Sequence, residues 1–196
     1  MSERKESKLR NPQNVIAIGV TVISLCALIV SVQQTQIMKE ERELMREHSR
    51  KSVWPRIEWG TAKSHNLIDR SVEKYAIYVT NSGIGPAIIT DVRIGYKGTF
   101  ARNWWDLFRL QEIPDTINTN ISNRSFNNKI VKVGETIEIL NLNHNPALAD
   151  AYYQRTKGIS IEIYYESIYG EKWKYDGQTT VKLDSFEGIP EEEQFN

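Results

Sequence analysis

Residues 15–32, Val15 to Val32, form an 18-residue run without one charged side chain. As a helix rising about 1.5 Å per residue it covers roughly 27 Å, close to the ~30 Å hydrocarbon core of a bilayer. In lipid a backbone must satisfy its own hydrogen bonds, so the many β-branched residues here are compatible with a helix. The run has no polar stripe, whereas a helix lying on a globular core shows one. A basic start, with Arg4, Lys5, Lys8 and Arg10, also suits a secretion signal. The run is longer than the apolar region of a signal, however, and no Ala-x-Ala pattern closes it. Leu25 is too bulky for the position before a lipoprotein cysteine, so Cys26 reads as a small apolar residue. The expectation is a retained single-pass anchor that meets the lipid bilayer through Val15 to Val32. The 14 residues before the run carry four Lys/Arg and the 14 after it carry three, which leans towards a cytoplasmic N-terminus with the domain across the membrane from it. Extending the second window to Lys51 raises its count to five and removes the lean.

Residues 33–53 predict a helical stalk. Gln33 to Lys51 has no Gly or Pro and is rich in Gln, Glu, Arg, Met and Leu. Lys39 with Glu43, Glu43 with Arg46 and Glu47 with Lys51 are opposite charges at helical spacing. Pro55 ends the helix, because the residue before a proline is pushed out of the helical region. Val30, Ile37 and Leu44 recur every seven residues, as do Met38 and Met45. That is the spacing of a homodimer seam, though two heptads fall short of a coiled-coil signature and also suit a lone solvated helix.

From Pro55 the period changes to two. Ile57 and Trp59, then Tyr75, Ile77 and Val79, alternate with other residues. Ile88, Thr90, Val92, Ile94 and Tyr96 form one expected face, with Asp91 and Arg93 on the other. Ile137 and Ile139, then Ile159, Ile161, Ile163 and Tyr165, then Trp173 and Tyr175, repeat the pattern. Such alternation marks half-buried strands. Asn81-Ser82-Gly83, Gly85-Pro86, Val133-Gly134, Tyr169-Gly170 and Asp176-Gly177 punctuate them as turns. The fold class expected for residues 54–184 is mainly β, an immunoglobulin-like sandwich of about seven or eight strands with two short helical inserts. One insert starts at Asn145-Pro146 and stops at Gly158. The other runs from Ala101 to Leu110, with Trp104, Leu107 and Phe108 on one face. Between them, Asp115 to Asn128 is rich in asparagine and is expected to be a mobile loop. Residues 1–14 read as a basic tail and 185–196 as an acidic tail, both solvated.

The junction Glu47-His48-Ser49-Arg50-Lys51-Ser52-Val53-Trp54-Pro55, then Tyr78 to Ala87, Gly134-Glu135-Thr136, and Ile163 to Gly170, taken together, resemble a family of uncharacterised bacterial single-pass membrane-anchored proteins with a C-terminal β-sandwich domain. Ser49 stands where that junction usually has asparagine. The resemblance covers most of the chain in order. It implies an inner-membrane location and a β-sandwich, and it implies no activity.

Function classes narrow by what the sequence lacks. Lys plus Arg equal Asp plus Glu at 25 each, so there is no general basic field and nucleic acid is not an expected partner. Cys26 is the one cysteine, which leaves no intrachain disulfide and no thiol metal site. His48, His65 and His144 lack metal-ligand spacing, and no metal or cofactor is expected. Gly83-Ile84-Gly85 is too short for a dinucleotide loop; no phosphate loop or nucleophile elbow is present, and the chain does not read as an enzyme. Trp104-Trp105 is the notable surface candidate. Adjacent helical residues point about 100° apart, so the pair predicts either two rings buried in a broad core face, the reading favoured, or Trp105 left on the flank as a partner contact. The leading expectation is a membrane-anchored interaction module for an unknown protein partner. The rival is a carbohydrate-binding or carbohydrate-active envelope protein. A tryptophan on an open groove favours the sugar; a closed sandwich without a cleft favours the protein.

Overall fold

The computed structural model describes residues 12–123, 125, 127–186 and 188–196. The chain divides into two compact units, residues 1–49 and 50–196. The basic tail at residues 1–11 lies outside the described residues.

Helix α1 runs unbroken over Pro12–Lys51, 40 residues, and none of its residues is buried. It is long and apolar enough to cross a membrane. Two of its hydroxyls bond to the helix itself: Thr21 donates to the Ala17 carbonyl at 2.8 Å, and Thr35 to that of Ser31 at 2.9 Å. This back-bonding lets a hydroxyl sit on a helix face without seeking water.

The second unit is mainly β and sandwich-like, with two antiparallel sheets. In chain order its elements are β1 (Ile57–His65), β2 (Val72–Asn81), β3 (Ala87–Tyr96), β4 (Thr99–Ala101), α2 (Trp104–Leu110), β5 (Ser122–Asn123), β6 (Ile130–Val131), β7 (Thr136–Asn141), α3 (Pro146–Tyr153), β8 (Ile159–Ser167), β9 (Lys172–Tyr175) and β10 (Thr180–Leu183). One sheet has the order β1-β2-β7-β5; the other has β10-β9-β8-β3-β4, with β6 also on β3. Both sheets feed one core. Ile57, Ile77, Val79, Ile137 and Ile139 come from the first, and Ile89, Val92, Ile94, Ile161 and Ile163 from the second. Each such side chain contributes about 2 kcal/mol by leaving water.

The expected alternation holds with one correction. In β3 the register against β8 shifts between Ile89 and Asp91, a bulge at Thr90. The extra residue flips the face, so Ile89 is buried and Ile88 only partly covered. A period-two reading cannot survive an inserted residue. The insert expected from Ala101 begins three residues later, because Ala101 closes the β3–β4 hairpin against Ile94. The Asp115–Asn128 segment is not a free loop over its described residues. Ser122 and Asn123 pair with Asn141 and Leu140, and Ile117 and Ile121 pack against the core.

The acidic tail is corrected as well. Phe186 stacks on Tyr164 at 4.6 Å, and Phe195 meets Trp104 edge-on at 5.0 Å. The Phe195 amide donates to the Val92 carbonyl at 2.9 Å, and Glu193 pairs with Arg93. Two phenylalanines outweigh the acidic composition because burying a ring gains more than solvating a neighbouring carboxylate requires. Glu191 and Glu192 do remain exposed.

Asn81 ties the entry of the chain to the sandwich. Fully buried, it donates to the carbonyls of Gly85 at 2.8 Å and Val131 at 3.0 Å. Its side-chain oxygen accepts from the amides of Gly83 at 3.0 Å and Arg56 at 3.2 Å. Every donor and acceptor direction of the amide is thereby used. A Cβ on Gly85 would overlap the Val53 carbonyl, so only glycine lets the two backbones lie this close.

Candidate functional site

A concave surface surrounds the end of α2. Asn103 caps that helix by accepting from the Asp106 amide at 2.9 Å. Trp104, Leu107 and Phe108 then fall on the buried face, as their i, i+3, i+4 spacing requires. Trp105 points off that face and is 48% exposed. The helix ends with Glu112 in the left-handed region at φ 55°. The Ile113 amide reaches the Phe108 carbonyl and the Glu112 amide that of Arg109. This is the two-bond stop usually built on glycine, here carrying a carboxylate.

Two clefts flank this stop and share Glu112. The first, about 510 Å³, includes Trp105, Arg109, Glu112, Pro114, Asp115 and Ile117 in its lining. Its tryptophan wall stands beside exposed charges of both signs. The second, about 540 Å³, is lined by Tyr96, Lys97, Gln111, Glu112 and Arg155 among others. The β3–β4 turn supplies Lys97, whose ammonium lies 5.0 Å from the Tyr96 ring centre. That turn is held down by the Lys97 amide, which donates to the Gly158 carbonyl at 2.8 Å. A Cβ at position 158 would collide with the Tyr96 ring, so glycine permits the approach. Arg155, just past α3, gives Nη1 to the Ala151 carbonyl at 2.8 Å. Gln111 is only 2% exposed, and neither its side-chain nitrogen nor its oxygen has a hydrogen-bond partner.

Beneath the clefts the rings of Phe108 and Tyr152 meet at 5.9 Å, and Tyr152 meets Tyr75 at 5.3 Å. The Tyr152 hydroxyl is buried without a partner, and burial pushes its phenol well above the usual 10.0. Burial also raises Tyr75.

The sequence singles out Trp105, and the structure sets it on the first cleft. Gln111 was missed, although Trp104, Leu107, Phe108 and position 111 share one helical face, and a glutamine on such a stripe is itself a signal. Lys97 and Arg155 carry no local signal, since only the fold brings the β3–β4 turn beside the end of α3. The β1–β2 turn exposes two aliphatic side chains, Leu67 at 98% and Ile68 at 95%. Among the described residues no group of three or more His, Cys, Asp or Glu side chains could hold a metal ion. No protein-family model matches the chain, and no curated protein matches it.

Proposed function

We propose that this chain is a membrane-anchored recognition module, with α1 as a single-pass anchor and the Trp105 cleft as its binding surface. The observation that carries the reading is a half-exposed tryptophan on the wall of an open cleft, in a chain whose helix α1 has no buried residue. Burying the uncharged run Val15 to Val32 in lipid is the evident way to cover that helix. The bacterial inner membrane, with the domain on the periplasmic side, is the location that suits the family resemblance and the basic start. Strand connections that cross between sheets at β2–β3 and β7–β8 support an immunoglobulin-like description of the sandwich. Val30, Ile37 and Leu44 are exposed along α1 and suit a homodimer seam.

The ligand class favoured by the cleft is a saccharide. An indole face stacks on the apolar face of a sugar ring, and Arg109, Glu112, Asp115 and Thr119 offer donors and acceptors to hydroxyls. Both carboxylates are exposed, without the burial that shapes a general acid, so the role is binding and not hydrolysis. The test uses the full chain in lipid nanodiscs, titrated calorimetrically with maltotriose, cellotriose and chitotriose. Binding of at least one, weakened tenfold or more by Trp105→Ala, is the expected result. If none binds, or Trp105→Ala leaves binding unchanged, the saccharide reading falls.

A protein partner is the second reading, and Leu67 with Ile68 favours it. Two fully exposed aliphatic residues at a hairpin tip suit a partner's apolar pocket and have no use for a sugar. Photo-crosslinking from position 67 in native membranes tests it; capture of no discrete protein counts against it. Removal of residues 15–32 should release the chain from carbonate-washed membranes, and persistence there refutes the anchor.

A further inference from the structure

Residues Glu193–Asn196 are held as a sheet edge holds a peptide, with a specific contact to each residue. β6 and β4 take the two ends of one edge of β3, at Ala87–Ile88 and Ile94–Tyr96, and leave its middle without a strand. The Phe195 amide enters that gap and donates to the Val92 carbonyl at 2.9 Å, and the Asn196 amide donates to the Arg102 carbonyl at 2.8 Å. Asn127 Nδ2 donates to the Phe195 carbonyl, and to Asn196 Oδ1 at 2.9 Å. Glu193 pairs with Arg93, and Gln194 Nε2 donates to Asp91 at 2.8 Å. The Phe195 ring, 3% exposed, sits against Trp104. Backbone bonds to a strand edge give a peptide its affinity, and a seated side chain gives it specificity.

The stretch before this segment, residues 184–192, is held far less. None of its described residues is buried. Among them the Phe186 ring stacks on Tyr164, and no hydrogen bond or ion pair joins them to the strands. Gly188, at φ 91°, supplies a bend that other residues resist. At about 3.3 Å per residue the stretch reaches up to about 30 Å.

We propose that the notch beside Val92 and Trp104 is a peptide-recognition site, that Glu193–Asn196 is its tethered occupant, and that it takes the same segment from a second copy of this chain. The notch offers a cation to a glutamate, a carboxylate to a glutamine, an aromatic slot to a phenylalanine and an amide clamp to an asparagine, in that order. The peptide that answers all four is the chain's own. An arm exchanged between copies makes the identical contacts, so the two forms differ only in the connecting stretch and in concentration. A short flexible tether supplies an effective concentration on the order of millimolar. Confinement of copies to one membrane by α1 raises their mutual concentration towards that scale, a step that rests on the anchor reading.

The test uses the full chain in detergent, so failure of the anchor reading leaves its readouts unchanged. The Phe195→Ala variant, its fold checked by near-ultraviolet circular dichroism, is titrated with a fluorescent peptide of residues 188–196. Expected is saturable binding at least tenfold tighter than to the parent chain, whose own arm competes. The same peptide carrying Phe195→Ala should bind at least tenfold more weakly. Glu193→Ala with Gln194→Ala, at half-exposed positions, loosens the arm without opening the core, and this variant should also bind the peptide more tightly than the parent does. Folded variants that do not bind the peptide, or equal binding by parent and variants, overturn the recognition site. Exchange is read with the photo-crosslinker benzoylphenylalanine at position 195, irradiated at chain concentrations rising to about 1 mM. Expected are an intramolecular product on α2 and a covalent dimer joined at the same α2 residues. The dimer should grow with concentration and fall when free peptide is in excess. Intramolecular product alone at every concentration, no product on α2, or a dimer that free peptide leaves unchanged overturns the exchange. Peptide binding without a dimer keeps the notch and removes the second copy as its partner.

Discussion

Replacing the two neighbouring tryptophans of α2 separates core from surface within one turn of helix. Trp104 is almost fully buried, with Phe195 edge-on at 5.0 Å and Leu107 and Phe108 beside it on the same face. Removing a buried tryptophan costs about 3–5 kcal/mol, through lost burial and the cavity left behind. For a unit of this size each kcal/mol moves the melting midpoint by about 2–4 °C, so Trp104→Ala should lower it by about 10–15 °C. Trp105 keeps 48% of its surface in water. Its truncation forfeits a far smaller burial and leaves no enclosed cavity, about 1–2 kcal/mol, or about 4 °C. Near-ultraviolet circular dichroism melts of the two variants in detergent, run beside the parent chain, read the difference. Trp104→Phe keeps the comparison alive if the alanine variant does not fold. Equal shifts for Trp104→Ala and Trp105→Ala would refute the reasoning, because both rings would then be core.

Glu112→Gly should raise stability by about 1 kcal/mol, since glycine enters the left-handed region without the steric cost of a Cβ; a loss of stability in urea unfolding would contradict this. Asn81→Ala should cost about 3 kcal/mol or more by the same measurement, because it strands two carbonyls and two amides, most of them away from water; a change under about 1 kcal/mol would mean that solvent replaces the side chain. Alkaline stability follows from the tyrosines. Burial raises Tyr75, Tyr152 and Tyr165 above 10.0, their value in an unfolded chain, so the folded state holds protons that the unfolded state has lost. Their contribution is complete below about pH 10 and disappears as pH climbs through the folded values. Tyr152→Phe deletes one such proton site and an unpartnered hydroxyl, and should move alkaline unfolding to higher pH; an unchanged midpoint in a circular dichroism titration would argue against it.

The sandwich was legible wherever a strand met the core on one face for several residues. Tyr75, Ile77 and Val79, or Ile161, Ile163 and Tyr165, announce themselves by alternation alone, and α2 does so by its stripe. What failed depended on events that no short window contains. Thr99–Ala101 is too short to alternate and becomes a strand only by hydrogen bonding back to Ile94–Tyr96. The bulge at Thr90 changes phase without changing composition. Phe186 and Phe195 sit among glutamates, and their burial is decided by Tyr164 and Trp104 elsewhere in the chain. The candidate site divides along the same line. Trp105 was visible because its neighbours fix the helical face, whereas the Lys97–Gln111–Arg155 grouping exists only after β3, α2 and α3 have been brought together.

The bonds around Asn81 have a mechanical consequence. A pull applied to the chain at Val53 does not act first on the Ile57–Asn81 rung that opens β1. It must break the bonds from the Ile84 amide to the Trp54 carbonyl at 3.1 Å and from the Ser82 amide to the Arg56 carbonyl at 2.8 Å, together with the one from the Arg56 amide to Asn81. Tension is therefore shared across the Ser82–Gly85 loop before it reaches the sheet, and a pull entering at Val53 does not begin by unzipping β1 from β2.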